Sequence, residues 1–351
     1  MNFESVKNLD IASDHPFLNQ EFFSLCEDSG VTTIESGWEP VYFQTAQSFS
    51  YAYIKSHSYG EYIFDWAWAD LFHRFQIPYY PKLVQALPVT PVSAPKFINP
   101  TTDFLDEIYS YYLREPLSSH HILFTEDHDF FRERNYFFQR TLQFHFINRF
   151  ESYDDFLNQL KARRRKNILK ERKTVKSYNL QITEVKAIDL THEQRLQIYH
   201  LYLSTIIKKN SQAYLSESFF LNLKLGHYLL AYKDNELIAM SFFMQNSEIL
   251  FGRYWGIHPR FEAQFSKLHF EMCYYLPIEK TISEKIPKFE AGAQGEQKLL
   301  RGFEPVAIGS LHHIKHQQLG KAIKNFINQQ NDAYTEEINR LKEYLPFKEN
   351  L

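Results

Sequence analysis

Three apolar runs in quick succession, HYLLAYK (His227–Lys233), ELIAMSFFMQ (Glu236–Gln245) and EILFGRYWGI (Glu248–Ile257), constrain this chain more than any other feature. Each is strand-length, and the breaks between them are Asp234-Asn235 and Asn246-Ser247, residue pairs that suit tight turns. The spacing predicts an antiparallel meander. A helix-length segment at about Ser266–Glu284 follows, then a strand through Phe289. The first half repeats that order more loosely. Strand-like runs at Glu39–Gln44 and Tyr51–Lys55 precede a helix at about Glu61–Gln76 and a strand at Pro81–Leu87. A helix around Asp103–Leu113 and strands at His121–Phe124 and Thr141–Asn148 complete it, the last alternating Leu142, Phe144 and Phe146 with Gln143 and His145. Two similar halves predict a duplicated α+β fold, with domains at 1–150 and 151–351. A length of 351 residues, 44% of them hydrophobic, suits two domains with large cores.

The composition narrows the function classes. No apolar run approaches the ~18 residues of a spanning helix, and MNFESVKNLD does not read as a secretory signal. Cys26 and Cys273 are far apart, which fits a reducing cytoplasm and supports neither a disulfide framework nor a zinc site. Of the 15 histidines none sits beside a cysteine, and the one HxxxH spacing, His312 and His316, has no acid or thiol near it in sequence, so no metal is expected. A net charge of −3 argues against bulk nucleic-acid binding but leaves room for a local basic patch.

The richest stretch is KFEAGAQGEQKLLRGF, Lys288–Phe303. An apolar lead-in opens onto small residues and then Glu290, Gln294, Glu296, Lys298 and Arg301, the way sheets present chemistry at strand ends. It reads equally as an irregular loop with solvated charges. Arg253, flanked by aromatics in the third meander strand, needs an acidic or ligand partner, and Glu290 is the candidate. Ser58-Tyr-Gly-Glu61 reads as a capping box for a helix whose stripe is Phe64, Trp68, Leu71, Phe72 and Phe75. Asp65, four residues after Glu61, has no structural task in that scheme and is a candidate for binding an amine or hydroxyl, with His57 nearby. A basic run, Lys161–Lys176, carries nine cations against Glu171, and its apolar face breaks between Lys161 and Asn167. The break favours a phosphate partner for Arg163, Arg164, Arg165 and Lys166 over a plainly solvated face. Lys315–Tyr344 reads as a charged helix.

The motifs SHSYGEYIFDWAWAD, IPYYPKL with PVTPV, RRRKNILKER, GRYWG, LHFEMCYY and FEAGAQGEQKLLRGF together resemble the FemAB-like family of GNAT-related proteins, over residues 15 to 315. The resemblance implies tandem GNAT-like (acyl-CoA N-acyltransferase fold) domains and a link to peptidoglycan biosynthesis or recognition. More distantly the pattern looks like the Fem peptidyltransferases, which move amino acids from aminoacyl-tRNA onto a cell-wall precursor amine. GNAT enzymes that use acyl-CoA hold its pyrophosphate on a glycine-containing loop. Here that slot is IHPRFEAQFSK, with no glycine between Gly256 and Gly292. Pro277 is expected to kink or shorten the helix it follows.

The expected function is therefore acyl or aminoacyl transfer onto a primary amine, of a small molecule or a peptidoglycan precursor, with aminoacyl-tRNA favoured as donor. No tightly held cofactor is expected. Glu290 or Glu296 would orient or deprotonate the amine, and Lys298 and Arg301 would meet the developing charge or donor phosphate. Arg253, Tyr254 and Gln294 would line the cavity, and His57, Glu61 and Asp65 would hold the acceptor from the first domain. Two alternatives stay open: an acyl-CoA-dependent N-acyltransferase with a non-standard coenzyme site, and a non-catalytic protein that recognises a cell-wall fragment or RNA.

Overall fold

The computed structural model describes residues 2–3, 6–63, 65–292 and 295–348; Phe64 and Gln294, both singled out above, lie outside these. The chain divides into two compact units, Met1–Leu142 with Ala307–Ile338, and Gln143–Val306 with Asn339–Leu351. Each is built on a mostly antiparallel sheet flanked by helices, the α+β class expected.

In the second unit the sheet runs Gln181–Lys186, His227–Lys233, Glu236–Gln245, Ile249–Ile257, Lys288–Glu290 and the end of Phe137–Ile147. The meander is present, and Asp234 and Asn235 take the left-handed backbone (φ 50° and 66°) that its first turn requires. Lys288–Glu290 lies parallel to Ile249–Ile257 and antiparallel to Phe137–Ile147, so Glu290 faces Phe251 on one side and His145 on the other. Ser241 pairs with Trp255 but Phe242 pairs with Arg253, leaving Tyr254 as the extra residue of a bulge. A Cβ on Gly256 would stand 2.1 Å from the Leu201 carbonyl oxygen, so glycine is what lets the helix His192–Lys208 lie against this strand.

Pro277 does not end its helix. Leu268–Phe270 passes through a π turn, Glu271–Tyr275, into Leu276–Ser283. The extra residue of a π turn accommodates a proline that can neither donate a hydrogen bond nor tolerate the carbonyl four residues back. The basic run is two helices, Tyr153–Gln159, capped by Ser152, and Ala162–Lys176. Between them Leu160 bridges to Phe347 and the Lys161 amide donates to the Pro346 carbonyl at 2.8 Å. The interrupted apolar stripe thus has a structural cause, a change of helix axis.

In the first unit the strand order is Asn2–Phe3, Trp38–Gln44, Phe49–Lys55, Lys82–Gln85, Ser119–Ile122 and Glu304–Ile314 from Ala307 on. Phe97–Ile98 also pairs with Phe49–Lys55, and only Lys82–Gln85 with Ser119–Ile122 is parallel among these pairs. Helix Thr102–Arg114, capped by Thr101, packs Phe104, Ile108 and Tyr112 onto Phe43, Ala52 and Leu83. The helix expected at Glu61 starts instead at Trp66. Gly60 (φ 80°) and Tyr62 (φ 63°) hold the preceding loop in left-handed conformations that a helix cannot contain. Ser58 and Glu61 are therefore not a capping box. Both turn inward to Lys82 Nζ, at 2.8 and 2.7 Å.

Candidate active site

Two buried groups of charged side chains stand out, one in each unit. In the first, Lys82 donates to Asp65 Oδ2 at 2.5 Å as well as to Glu61 and Ser58, and all four residues are buried. Tyr79 donates to the same Asp65 oxygen at 2.6 Å. Burial pushes the Glu61 carboxyl up, to about 7, against the pull of Lys82. Burial pushes Asp65 the same way, but Lys82 with Tyr79 and Ser58 outweighs it and holds this acid below its ordinary value. Asp65 is thus the carboxylate that keeps its charge. Lys55, its Nζ 3.8 Å from the centre of the Trp38 ring and bonded to the Gly37 carbonyl at 3.0 Å, is pushed down to about 6 by burial. His57 bonds the Ser36 carbonyl through Nε2 at 3.0 Å and accepts from the Tyr59 amide at 3.2 Å. Asp65 and Glu61 are committed to an internal cation, and His57 to the loop around them.

The second group lies in the second unit. Glu290 is 1% exposed and stands beside three cations or potential cations: Lys288 Nζ at 3.0 Å, Arg253 Nη2 at 3.8 Å and His145 Nε2 at 3.9 Å. Among the described residues, neither of its carboxylate oxygens receives a well-oriented hydrogen bond. Arg253 Nη1 donates to the Glu290 carbonyl at 3.3 Å and to the Gly252 carbonyl at 2.6 Å. Burial holds His145 down, at about 4, partly opposed by Glu290; Lys288, Arg253 and Lys298 add to the depression. Lys298, 1% exposed, donates to the Gly292 carbonyl, and burial followed by the Arg253 charge brings its ammonium down to about 7. A cavity of about 90 Å³ opens here, lined by Phe243, Gly252, Arg253, Trp255, His269, Cys273, Tyr274 and Ala291. The π turn contributes Cys273 and Tyr274, as π turns at functional sites do. Arg253 lines this cavity, and it is through Arg253 that the acid Glu290 and the lysine Lys298, poised near neutrality, connect to it.

The other expected residues sit elsewhere. Arg301 is spent on structure: it bonds Tyr275 Oη at 3.0 Å, Glu171 Oε2 at 2.9 Å and the Gln297 carbonyl at 2.9 Å, and stacks on Phe270 at 3.6 Å. Tyr254, thrown out by the bulge, stacks on Phe242 (5.5 Å, 15°) beside Tyr202 and Phe220. Glu296 is exposed at the start of the turn Glu296–Arg301, on a second cavity with Arg164. Arg163 and Lys166 are exposed on the basic helix, Arg164 and Arg165 half-buried, with Arg165 bonded to Asn158 at 3.2 Å. Sequence reasoning overlooked Lys288, His269 and Cys273 in the second unit and Lys82 and Lys55 in the first. His145 did leave a trace, as a polar position alternating with phenylalanines in a core strand.

The mixed-sheet fold places the protein in one structural class with several solved chains. L-PGS from Bacillus licheniformis matches with a TM-score of 0.54 at 8% identity, over 87% of this chain and 95% of that one. FemX matches with a TM-score of 0.54 at 10% identity, over 91% and 96%. The C-terminal domain (DUF2156) of a putative lysylphosphatidylglycerol synthetase from Agrobacterium fabrum gives a TM-score of 0.54 at 7% identity, over 86% and 96%. Such identities establish shared fold alone. No curated protein matches the sequence. The chain belongs to the FemAB-like family, described as peptidoglycan biosynthesis/recognition, whose profile spans residues 3–349.

Proposed function

We propose that this protein transfers an aminoacyl or acyl group onto a primary amine in cell-envelope synthesis, with a tRNA-borne donor. The observation that carries the reading is the buried group of Glu290, Arg253 and Lys298, of which Arg253 lines a small cavity. Family membership and the fold shared with FemX and with a putative lysylphosphatidylglycerol synthetase support the same class.

In this scheme the acceptor amine attacks the ester carbonyl, a C–N bond forms, and negative charge develops on the carbonyl oxygen. Glu290 takes the proton released by the amine. Arg253 and Lys298 stabilise the oxyanion, and as the C–O bond breaks Lys298 gives its proton to the leaving hydroxyl. An ammonium near 7 can serve both as cation and as acid at neutral pH. Arg163, Arg164 and Lys166 on the basic helix would meet donor phosphates. The segment that would cradle coenzyme A in a GNAT enzyme is here a four-residue turn, Pro259–Glu262, capped by His258, which favours tRNA over coenzyme A.

Thermal shift with bulk tRNA, aminoacylated tRNA, coenzyme A and acetyl-coenzyme A tests the donor. Stabilisation by tRNA that weakens with salt, with coenzyme A silent, supports the reading; stabilisation by stoichiometric coenzyme A overturns it. Glu290→Gln and Lys298→Met are expected to abolish transfer from the donor so identified while melting within a few degrees of the parent. Parental turnover by both variants would remove the assignment.

A further inference from the structure

The second cavity, about 350 Å³, is lined in part by the Glu296–Arg301 turn, and nothing in the scheme above uses its shape. That volume is within the range of small-ligand sites. Its chemistry is ordered. Tyr344, 57% exposed, with the Arg340 guanidinium 5.9 Å from its ring centre, and Leu300, 37% exposed, are its exposed apolar residues, and Leu299 and Leu341 are buried. Arg164 and Arg340 supply cations, while Glu296 and Gln297 supply a carboxylate and an amide. An aromatic face, a hydrogen-bonding edge and cations are the three elements that recognise a nucleotide: a stacked base, its edge, and its phosphate. Gln297 also bonds the Tyr274 hydroxyl, and Tyr274 lines the reaction cavity. One hydrogen bond therefore joins a lining residue of each space.

We infer that this cavity binds a nucleotide, its base stacked on Tyr344, its exocyclic amine donating to Glu296 and its phosphate on Arg164 and Arg340. An acceptor at the base edge selects adenine or cytosine, which carry an exocyclic amine there, over uracil, which does not. The inference deepens the donor reading, because a nucleotide held here would lie one hydrogen bond, Gln297 to Tyr274, from the reaction cavity. The same chemistry occurs at an RNA 3′ terminus and in the adenosine of coenzyme A, so the test must separate them.

The full-length protein is titrated into a 5′-fluorescein-labelled CCA trinucleotide and followed by anisotropy, with AMP, CMP, UMP and coenzyme A as competitors. AMP and CMP are expected to displace the probe and UMP to do so poorly. Tyr344→Ala should weaken binding on the order of tenfold, the usual effect of losing one stacked base, and Tyr344→Trp should restore it. Parental affinity of Tyr344→Ala, or equal competition by UMP, overturns the proposal. If intact tRNA still binds the Tyr344→Ala variant as it binds the parent, the cavity assignment fails while the donor reading stands. Failure of both AMP and CMP to displace the probe overturns the proposal, whereas displacement by AMP and coenzyme A but not by intact tRNA supports the cavity and overturns the tRNA donor instead.

Discussion

Replacing Lys82 by methionine removes the ammonium that ion-pairs with both Glu61 and Asp65 and leaves its own aliphatic volume filled. Both carboxylates lie at side-chain exposures of 0 and 1%, and each already has one oxygen without a partner. Breaking a buried ion pair by deleting one partner costs about 3–5 kcal/mol, because the remaining charge stays desolvated. At roughly 2–4 °C per kcal/mol for a unit of this size, the melting temperature should fall by roughly 6–20 °C. The loss must depend on pH. Without Lys82 both acids have folded pKa values raised above their unfolded ones, so their penalty is absent below about pH 4 and grows as pH rises through the raised values. Urea denaturation at pH 5 and pH 8 should show the larger deficit at pH 8. A triple variant, Lys82→Met with Glu61→Gln and Asp65→Asn, carries no uncompensated charge and should recover part of the loss. A single variant within about 1 kcal/mol of the parent at pH 8, or a triple variant no better than the single, would refute the account.

Two further outcomes follow from the packing. His120, His312 and His313 are held down by burial to about 3, 3 and 4, and His121 well below its ordinary value, so their neutral forms are what the fold requires. Stability they contribute above pH 6.5 is lost as pH falls below it, about 1.4 kcal/mol per pH unit per ring; their imidazole C2 protons should show no titration between pH 8 and 5, and a ring titrating near 6.5 would contradict this. Gly256→Ala places a methyl 2.1 Å from the Leu201 carbonyl oxygen, so calorimetry should show a melting temperature lowered by several degrees; an unchanged value would mean the helix moves freely off the strand.

How far the sequence discloses this fold depends on whether a residue's task is local. The meander is legible because Asp234 and Asn235 announce their turn by type, and the Ser152 cap because its partner lies three residues on. Ser58 and Glu61 imitate a local device, yet their partner Lys82 is 21 residues beyond Glu61, and no spacing rule joins them. Arg301 looks like a ligand group because its partner is not local; the acid it bonds is Glu171, 130 residues earlier. For Glu290 and Arg253 the expectation of an acid beside a strand arginine needed only the element order, since strands that follow one another around a helix become neighbours. The lysines that join these groups were invisible because a strand lysine ordinarily faces solvent.

The division of the chain has a consequence for how it is made. The first unit is not finished when residue 142 leaves the ribosome, because Ser119–Ile122 pairs with Leu311–Ile314, which emerges only after the whole stretch Gln143–Val306. At translation speeds of about 5–20 residues per second, that leaves a strand edge bearing His120 and His121 unpaired for on the order of ten seconds. The second unit has nearly all of its sequence in hand by then, so it can fold while the first still waits. A nascent chain in that state needs a holding chaperone more than a fast folding nucleus, and overproduction that outruns the chaperone supply should deposit full-length protein joined through that open edge.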